Sequence, residues 1–188
     1  MKKYLLIFVV LIFVVGLSAE DYDFRNVNWG MSKTEVKRRE DAKLFQDKST
    51  SLAYKTQLKN HDALLVYNFW NNKLAGSAYS IIDNYLNKNN YIEDYKELKR
   101  LLEKKYGNPS YEDIIWKNDL YKDDPSHYGM AISVGHLIYT SRWKTNSEKI
   151  VIILDGENYK VSLMIAYYSN QYAKKILKDD EKEAMEDL

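Results

Sequence analysis

Three histidines are the first residues to test for chemistry: His61, His127 and His136. A zinc site read from local sequence needs ligands at a spacing such as H-x-x-x-H or H-E-x-x-H, which puts two imidazoles on one helix face. None of the three stands at such a spacing, and the chain has no cysteine. The sequence therefore leads us to expect no metal site and no cofactor. No G-x-S-x-G pattern supplies a serine nucleophile. With seven glycines in all, there is no glycine-rich phosphate loop. The paired carboxylates Glu93/Asp94 and Asp123/Asp124 are adjacent, and adjacent residues on a helix do not face each other. No catalytic residue is assigned, and the chain is read as a non-enzyme.

One segment gathers polar chemistry, KNDLYKDDPSHYG at 117–129. It brings Asp119, Asp123, Asp124 and His127 together with Tyr121 and Tyr128, and these six are the candidate ligand- or partner-binding residues. The whole connection, 117–134, is long for a compact domain, and long connections often carry function. Oxygen-rich loops hold calcium, but this one lacks the EF-hand spacing and its glycine. Asp119, Asp124 and His127 form the one local group that a hydrolase could use. The plain alternative is a solvated surface loop.

Elements must hold this segment in place. Ser32 and Glu35 form a capping box at the start of a short helix, with Met31 and Val36 as its hydrophobic staple. Gly30 permits the sharp entry, and Trp29 is expected to fold onto the core. The polar stretch 41–51 reads as a loop and 51–58 as a strand. Residues 61–82 read as a hairpin about Asn71-Asn72, because Asn tolerates positive φ. Tyr67 and Phe69 then face one side of it, and Val66 and Trp70 the other. Both sides are apolar enough for cover on both faces.

The second half repeats the order. Asn90 and Glu93 read as another capping box. Tyr91, Tyr95, Leu98, Leu102 and Tyr106 recur at helical spacing, and Gly107 with Pro109 stops the helix. A strand begins near 114–116. Residues 135–143, 148–156 and 158–169 read as strands, with a turn at Asp155-Gly156. Val161, Leu163, Ile165 and Tyr167 alternate onto one face. Adjacency suggests cation–π pairs of Trp143 with Arg142 and of Trp116 with Lys117.

The ends speak to compartment. Lys2 and Lys3 precede an apolar run from Tyr4 to Leu17, followed by Ser18 and Ala19. That is the layout of a secretory signal peptide cut after Ala19, and the run is short for a spanning helix. Without a cysteine there is no lipid anchor and no disulfide, so the exported domain rests on its core. Removal of the leader leaves 26 basic against 27 acidic residues, too little positive charge for nucleic-acid binding. Residues 171–188 read as a helix fraying into an acidic tail. Tyrosine is abundant, 17 residues beside four tryptophans, and reads first as half-buried sheet filler, with a recognition surface as the alternative.

The opening WGMSKTEV, the tyrosine-rich helix ending KKYGNP and the later W-K-T-N and L-D-G-E-N-Y-K-V resemble a family of exported bacterial proteins that carries no established activity. More distantly, the G-M-S-x-x-E-V opening and the helix-then-strands unit resemble two other groups. These are the small lipoprotein subunit of the outer-membrane barrel-assembly machine and the β-lactamase inhibitor proteins. Both resemblances imply binding of proteins rather than catalysis. This chain lacks the lipid-bearing cysteine of the first and the disulfides of the second.

The expected fold is α+β. After a signal peptide at 1–19, two tandem α-β-β-β units span 20–88 and 89–170, with the helices on one face of the sheet. The expected function is an exported, periplasmic or extracellular, protein that binds a protein or cell-envelope component, without nucleic acid or a stable membrane anchor. The first rival is a small-ligand or carbohydrate binder with an aromatic cleft, and the second is a hydrolase.

Overall fold

A computed structural model describes residues 22–175. The signal peptide and the acidic tail expected from the sequence lie outside the described residues. The chain runs α1 (Lys33–Arg39), β1 (Lys43–Lys48), β2 (Ser51–Leu58), β3 (His61–Trp70), β4 (Lys73–Ile81), α2 (Asn90–Tyr106) and β5 (Tyr111–Trp116). A 3₁₀ turn (Pro125–His127), α3 (Tyr128–Ser133), β6 (Leu137–Lys144), β7 (Glu148–Glu157) and β8 (Lys160–Ser169) follow. Residues 170–175 are helical. The α+β class is as expected, and all eight strands join one antiparallel sheet in the order β1-β2-β3-β4-β8-β7-β6-β5.

Each half supplies four strands to this sheet, not three. The missed strand in the first half is β1, which the polar composition of 41–51 disguised as a loop. β1 is an edge strand with every residue exposed, so it needs no buried face to pair with β2. In the second half β5 begins at Tyr111 and forms the opposite edge.

The capping box of α1 forms: Glu35 N–H donates to Ser32 Oγ (3.3 Å) and Ser32 N–H donates to Glu35 Oε2 (2.8 Å). Val36 is fully buried and Met31 and Trp29 pack against the core. The box expected at Asn90 does not form. Asn89 is the N-cap of α2, and its side chain makes no capping bond because it is committed elsewhere. Gly107 ends α2 at φ +79°, as its freedom from a Cβ allows.

The Asn71-Asn72 turn is present, with φ of 47° and 58°. The turn expected at Asp155-Gly156 lies three residues further on, at Asn158-Tyr159, with φ of 52° and 64°. Gly156 remains inside β7 and serves a different need. A Cβ there would stand 2.6 Å from the Ile132 carbonyl oxygen and 2.4 Å from that of Lys160, so it lets α3 approach the sheet.

One core gathers α1, α2 and α3 on a single face. Val36 from α1, Tyr95, Leu98 and Leu102 from α2 and Ile132 from α3 join Leu65, Tyr67, Ile150, Ile152, Leu163 and Ile165 from alternate strand positions. Tyr91, Tyr95, Leu98 and Leu102 are buried as their helical spacing predicts, and so are Leu163, Ile165 and Tyr167.

Candidate functional site

The connection 117–134 is more structured than a solvated loop. Its second part is α3, in which Gly129, Ala131, Ile132 and Ser133 are buried. Its first part folds on itself. Lys122 pairs with Asp119 (3.1 Å). Asp124 caps the 3₁₀ turn through Ser126 N–H (3.0 Å) and takes His127 Nδ1 at 2.7 Å. Those bonds to Ser126 and His127 hold the Asp124 carboxyl below its ordinary pKa. The Tyr121 ring stacks on His127, 5.9 Å between centroids, and the Tyr128 hydroxyl donates to the Lys122 carbonyl (2.9 Å). Asp123 is exposed. Of the six predicted residues, Asp124, His127 and Tyr121 meet, whereas Asp119 turns to Lys122. The segment is a self-bonded knob on the surface rather than an open site.

Asn89 fastens this knob to α2. Its Nδ2 donates to the carbonyls of Pro125 (3.3 Å) and Ser126 (3.0 Å), and its Oδ1 accepts the Gly129 N–H (2.5 Å). The two adjacency-based cation–π pairs are absent, because neighbours in a strand point to opposite faces. Arg142 lies over Tyr111 (4.9 Å) on one face, and Trp143 is buried on the other with its Nε1 on the Gly107 carbonyl (2.8 Å). Trp116 meets Tyr128 edge-on at 5.1 Å.

The fold also assembles a cluster that local spacing did not reveal. His61 opens β3, Asp83 follows β4 and Asp94 lies in the second turn of α2. His61 Nδ1 stands 2.8 Å from Asp83 Oδ2 and 3.9 Å from Asp94 Oδ2. His61 is buried, at 6% exposure. Asp83 is held by its neighbours: its Oδ1 accepts the Asp62 N–H (3.1 Å), its Oδ2 the Tyr85 hydroxyl (3.4 Å) and its carbonyl the Tyr91 hydroxyl (2.9 Å). Asp94 Oδ2 is buried and lacks a hydrogen-bond partner among the described residues. Burial pushes the Asp94 carboxyl above its ordinary pKa, against the pull of Tyr85 and His61, and nearby Asp83 adds to the rise.

The second feature is the sheet face opposite the helices. One cross-strand row reads Gln46, Ala53, Val66, Ala78, Ala166, Val151, Arg142 and Tyr111 across all eight strands. The next row contains Lys55, Leu64, Ser80, Met164, Ile153 and Thr140. Leu64, Val66, Val151, Ile153 and Met164 are half-exposed, and α1, α2 and α3 all pack on the other side. Among the described residues, α1, α2 and α3 leave this face of the first hairpin uncovered, while Tyr172 of the C-terminal helix packs against Trp70 at its tip (6.3 Å). Lys55, Arg142, Lys144 and Lys149 border the apolar centre.

A cleft of about 490 Å³ between α2 and the β5–β6 edge touches Tyr95 and Tyr139, but Lys96, Lys99, Arg100 and Glu112 also line it. Among the described residues, no helix is long and apolar enough to cross a membrane. No protein family, no curated protein and no solved structure matches the chain.

Proposed function

We propose that the chain is an exported, non-enzymatic binding protein that takes a protein or cell-envelope component on its open sheet face. The observation that carries this reading is the pair of apolar cross-strand rows. Leu64 and Val66 on β3, Met164 on β8 and Val151 and Ile153 on β7 are half-exposed on this face, with Ala78 and Ser80 of β4 between the two groups. A contiguous apolar surface with a charged border is a feature of interaction sites. An antiparallel sheet hides one face and commonly solvates the other with polar residues. Here the second face is not polar at its centre.

Two further features support the reading. The leader-like segment 1–19 fits export. The mirrored strand order, with β4 against β8 at the centre and β1 and β5 at the edges, fits two tandem helix-plus-sheet units. Joining such units edge to edge makes a broad platform of the kind a folded partner needs. The 117–129 knob is the alternative contact point. Asp119, Asp124, His127 and Tyr128 are already bonded within it, so it offers shape more than free valences. The carbohydrate reading asks for an aromatic cleft, and the cleft beside α2 is lined largely by charged chains.

The test is crosslinking in the native cells with the full chain, followed by mass spectrometry. Val66→Glu and Val151→Glu place charges on the open face at half-exposed positions. A second variant changes Asp119, Asp123, Asp124 and Tyr128 to Ala. The reading expects one specific partner, lost in the face variants and kept in the knob variant. Loss only in the knob variant would move the contact to 117–129. The absence of any partner would overturn the binding reading.

A further inference from the structure

We propose that His61, Asp83 and Asp94 form a binding site for a divalent transition metal ion, with zinc as the best-matched probe. The three residues come from β3, the β4–α2 connection and α2, and each offers one ligand atom within 4.8 Å of the others. Zinc bonds imidazole nitrogen and carboxylate oxygen at about 2.0–2.2 Å, so neighbouring ligands in a tetrahedral site stand about 3.3 Å apart. The observed separations of 2.8 and 3.9 Å from His61 Nδ1 bracket that value. Sub-ångström shifts of these side chains would centre the ion.

Charge makes the same argument. Two carboxylates share one imidazole in a place that little water reaches: the side chains are 7% exposed for His61, 18% for Asp83 and 13% for Asp94. With both carboxylates ionised, even a protonated His61 leaves an excess negative charge, and burying that charge is costly. A divalent cation removes the excess. Asp94 Oδ2, buried and without a hydrogen-bond partner among the described residues, is the atom that gains a bond.

The surroundings fit a ligand set. Metal-bound groups are usually oriented by outer hydrogen bonds. The Asp83 carboxylate has two, from the Asp62 N–H and the Tyr85 hydroxyl, and its main-chain carbonyl takes the Tyr91 hydroxyl; the buried His61 Nε2 has none among the described residues. Tyr85 and Tyr91 brace each other edge-on at 4.9 Å. Asp94 is carried on a 17-residue helix. One nitrogen and two oxygens suit zinc, or a harder ion such as manganese. Three protein ligands leave a position for water, as in an open site. The site lies apart from the open sheet face and does not depend on the binding function proposed above.

The experiment uses the full chain stripped with chelator. Zinc is titrated by calorimetry, Co(II) by its visible absorption, and the thermal midpoint is read with and without ion. The expected result is one zinc per chain, a raised midpoint and a tetrahedral cobalt spectrum. Asp94→Asn keeps size and weakens zinc binding by more than about 100-fold, since it removes a ligand rather than an outer partner. The metal-free midpoint and far-ultraviolet dichroism of the variant show whether it is folded. His127→Gln, in the surface knob, leaves the titration unchanged. Binding that survives Asp94→Asn, binding lost in His127→Gln, or no stoichiometric binding would each overturn the proposal.

Discussion

Glu40, whose side chain is wholly buried, joins two parts of the fold: its Oε1 takes the Arg25 guanidinium at 3.0 Å and its Oε2 accepts the Tyr67 hydroxyl at 2.5 Å. Arg25 also reaches the Tyr79 hydroxyl (3.2 Å), and Glu40 Oε1 accepts the Ala42 N–H (3.0 Å). The N-terminal segment, the end of α1 and strands β3 and β4 thus meet at one carboxylate. Burial and the bond to Glu40 hold the Tyr67 phenol well above its ordinary pKa.

Breaking this network on one side leaves the other side stranded. Removing one partner of a buried pair costs roughly 3–5 kcal/mol, and Arg25 is partly exposed, so the lower end applies. Glu40→Ala is expected to lose about 3 kcal/mol in urea denaturation. The double variant Glu40→Met with Arg25→Met is expected to recover more than half of that loss. Equal losses in both variants would refute the network as the cause.

Glu148 gives the fold a pH dependence. It is buried on β7 with Oε2 unpartnered among the described residues. Burial pushes its carboxyl from 4.5 up to about 7, assisted by nearby Asp23 and opposed by Lys105 and Tyr106. The unfolded chain releases this proton near the ordinary value, while the folded chain keeps it to about pH 7. Stability therefore falls as pH rises between those values and stays low above them, and below both the group contributes nothing. Glu148→Gln is expected to gain about 2 kcal/mol at pH 8, after allowing for solvent screening, and nothing near pH 4. Urea curves at both pH values check this; a gain of equal size at both would sink it.

Patterned residues made much of this fold legible. The Ser32/Glu35 box, the Asn71-Asn72 turn and the apolar spacing of α2 are short-range signals, and each stands where local physics puts it. β1 was hidden because an edge strand with no buried face carries no alternation. Asn89 displaced the box at Asn90 because its side chain serves a segment 40 residues away at Gly129. The His61 cluster was illegible for the same reason: Asp83 is 22 positions from His61, and only the strand register of β3 against β4, with α2 crossing beside them, brings the three together. Sequence spacing finds ligands on one element. It does not find ligands on three.

The knob depends on close backbone approach at Gly129. A Cβ there would lie 2.3 Å from the Lys88 carbonyl carbon and 2.4 Å from the Asn89 nitrogen. These are backbone atoms that no rotamer change can move. Gly129→Ala is expected to cost about 2–3 kcal/mol through overpacking, despite the gain in helix propensity. Asn89→Ala, which removes the three bonds without a clash, is expected to raise hydrogen exchange at 125–130 while the sheet core stays protected. Unchanged exchange there would show that Asn89 does not hold the knob.

The Asn158-Tyr159 turn is the weak point of the second hairpin. A type I′ turn needs positive φ at both central residues, and Tyr159, at φ 64°, is bulky for that region. Its ring is exposed, so little packing offsets the strain. The bond from Lys88 Nζ goes to the Tyr159 carbonyl (2.9 Å) and survives a side-chain change. Tyr159→Gly makes the favoured Asn-Gly turn and is expected to stabilise the chain by about 1 kcal/mol, raising the thermal midpoint by about 2–4 °C. Tyr159→Val adds a branched Cβ at the same φ and is expected to lower the midpoint. Were glycine to destabilise here, the Tyr159 ring would have to be making contacts that its exposure does not suggest, and the turn's strain would not be what limits this hairpin.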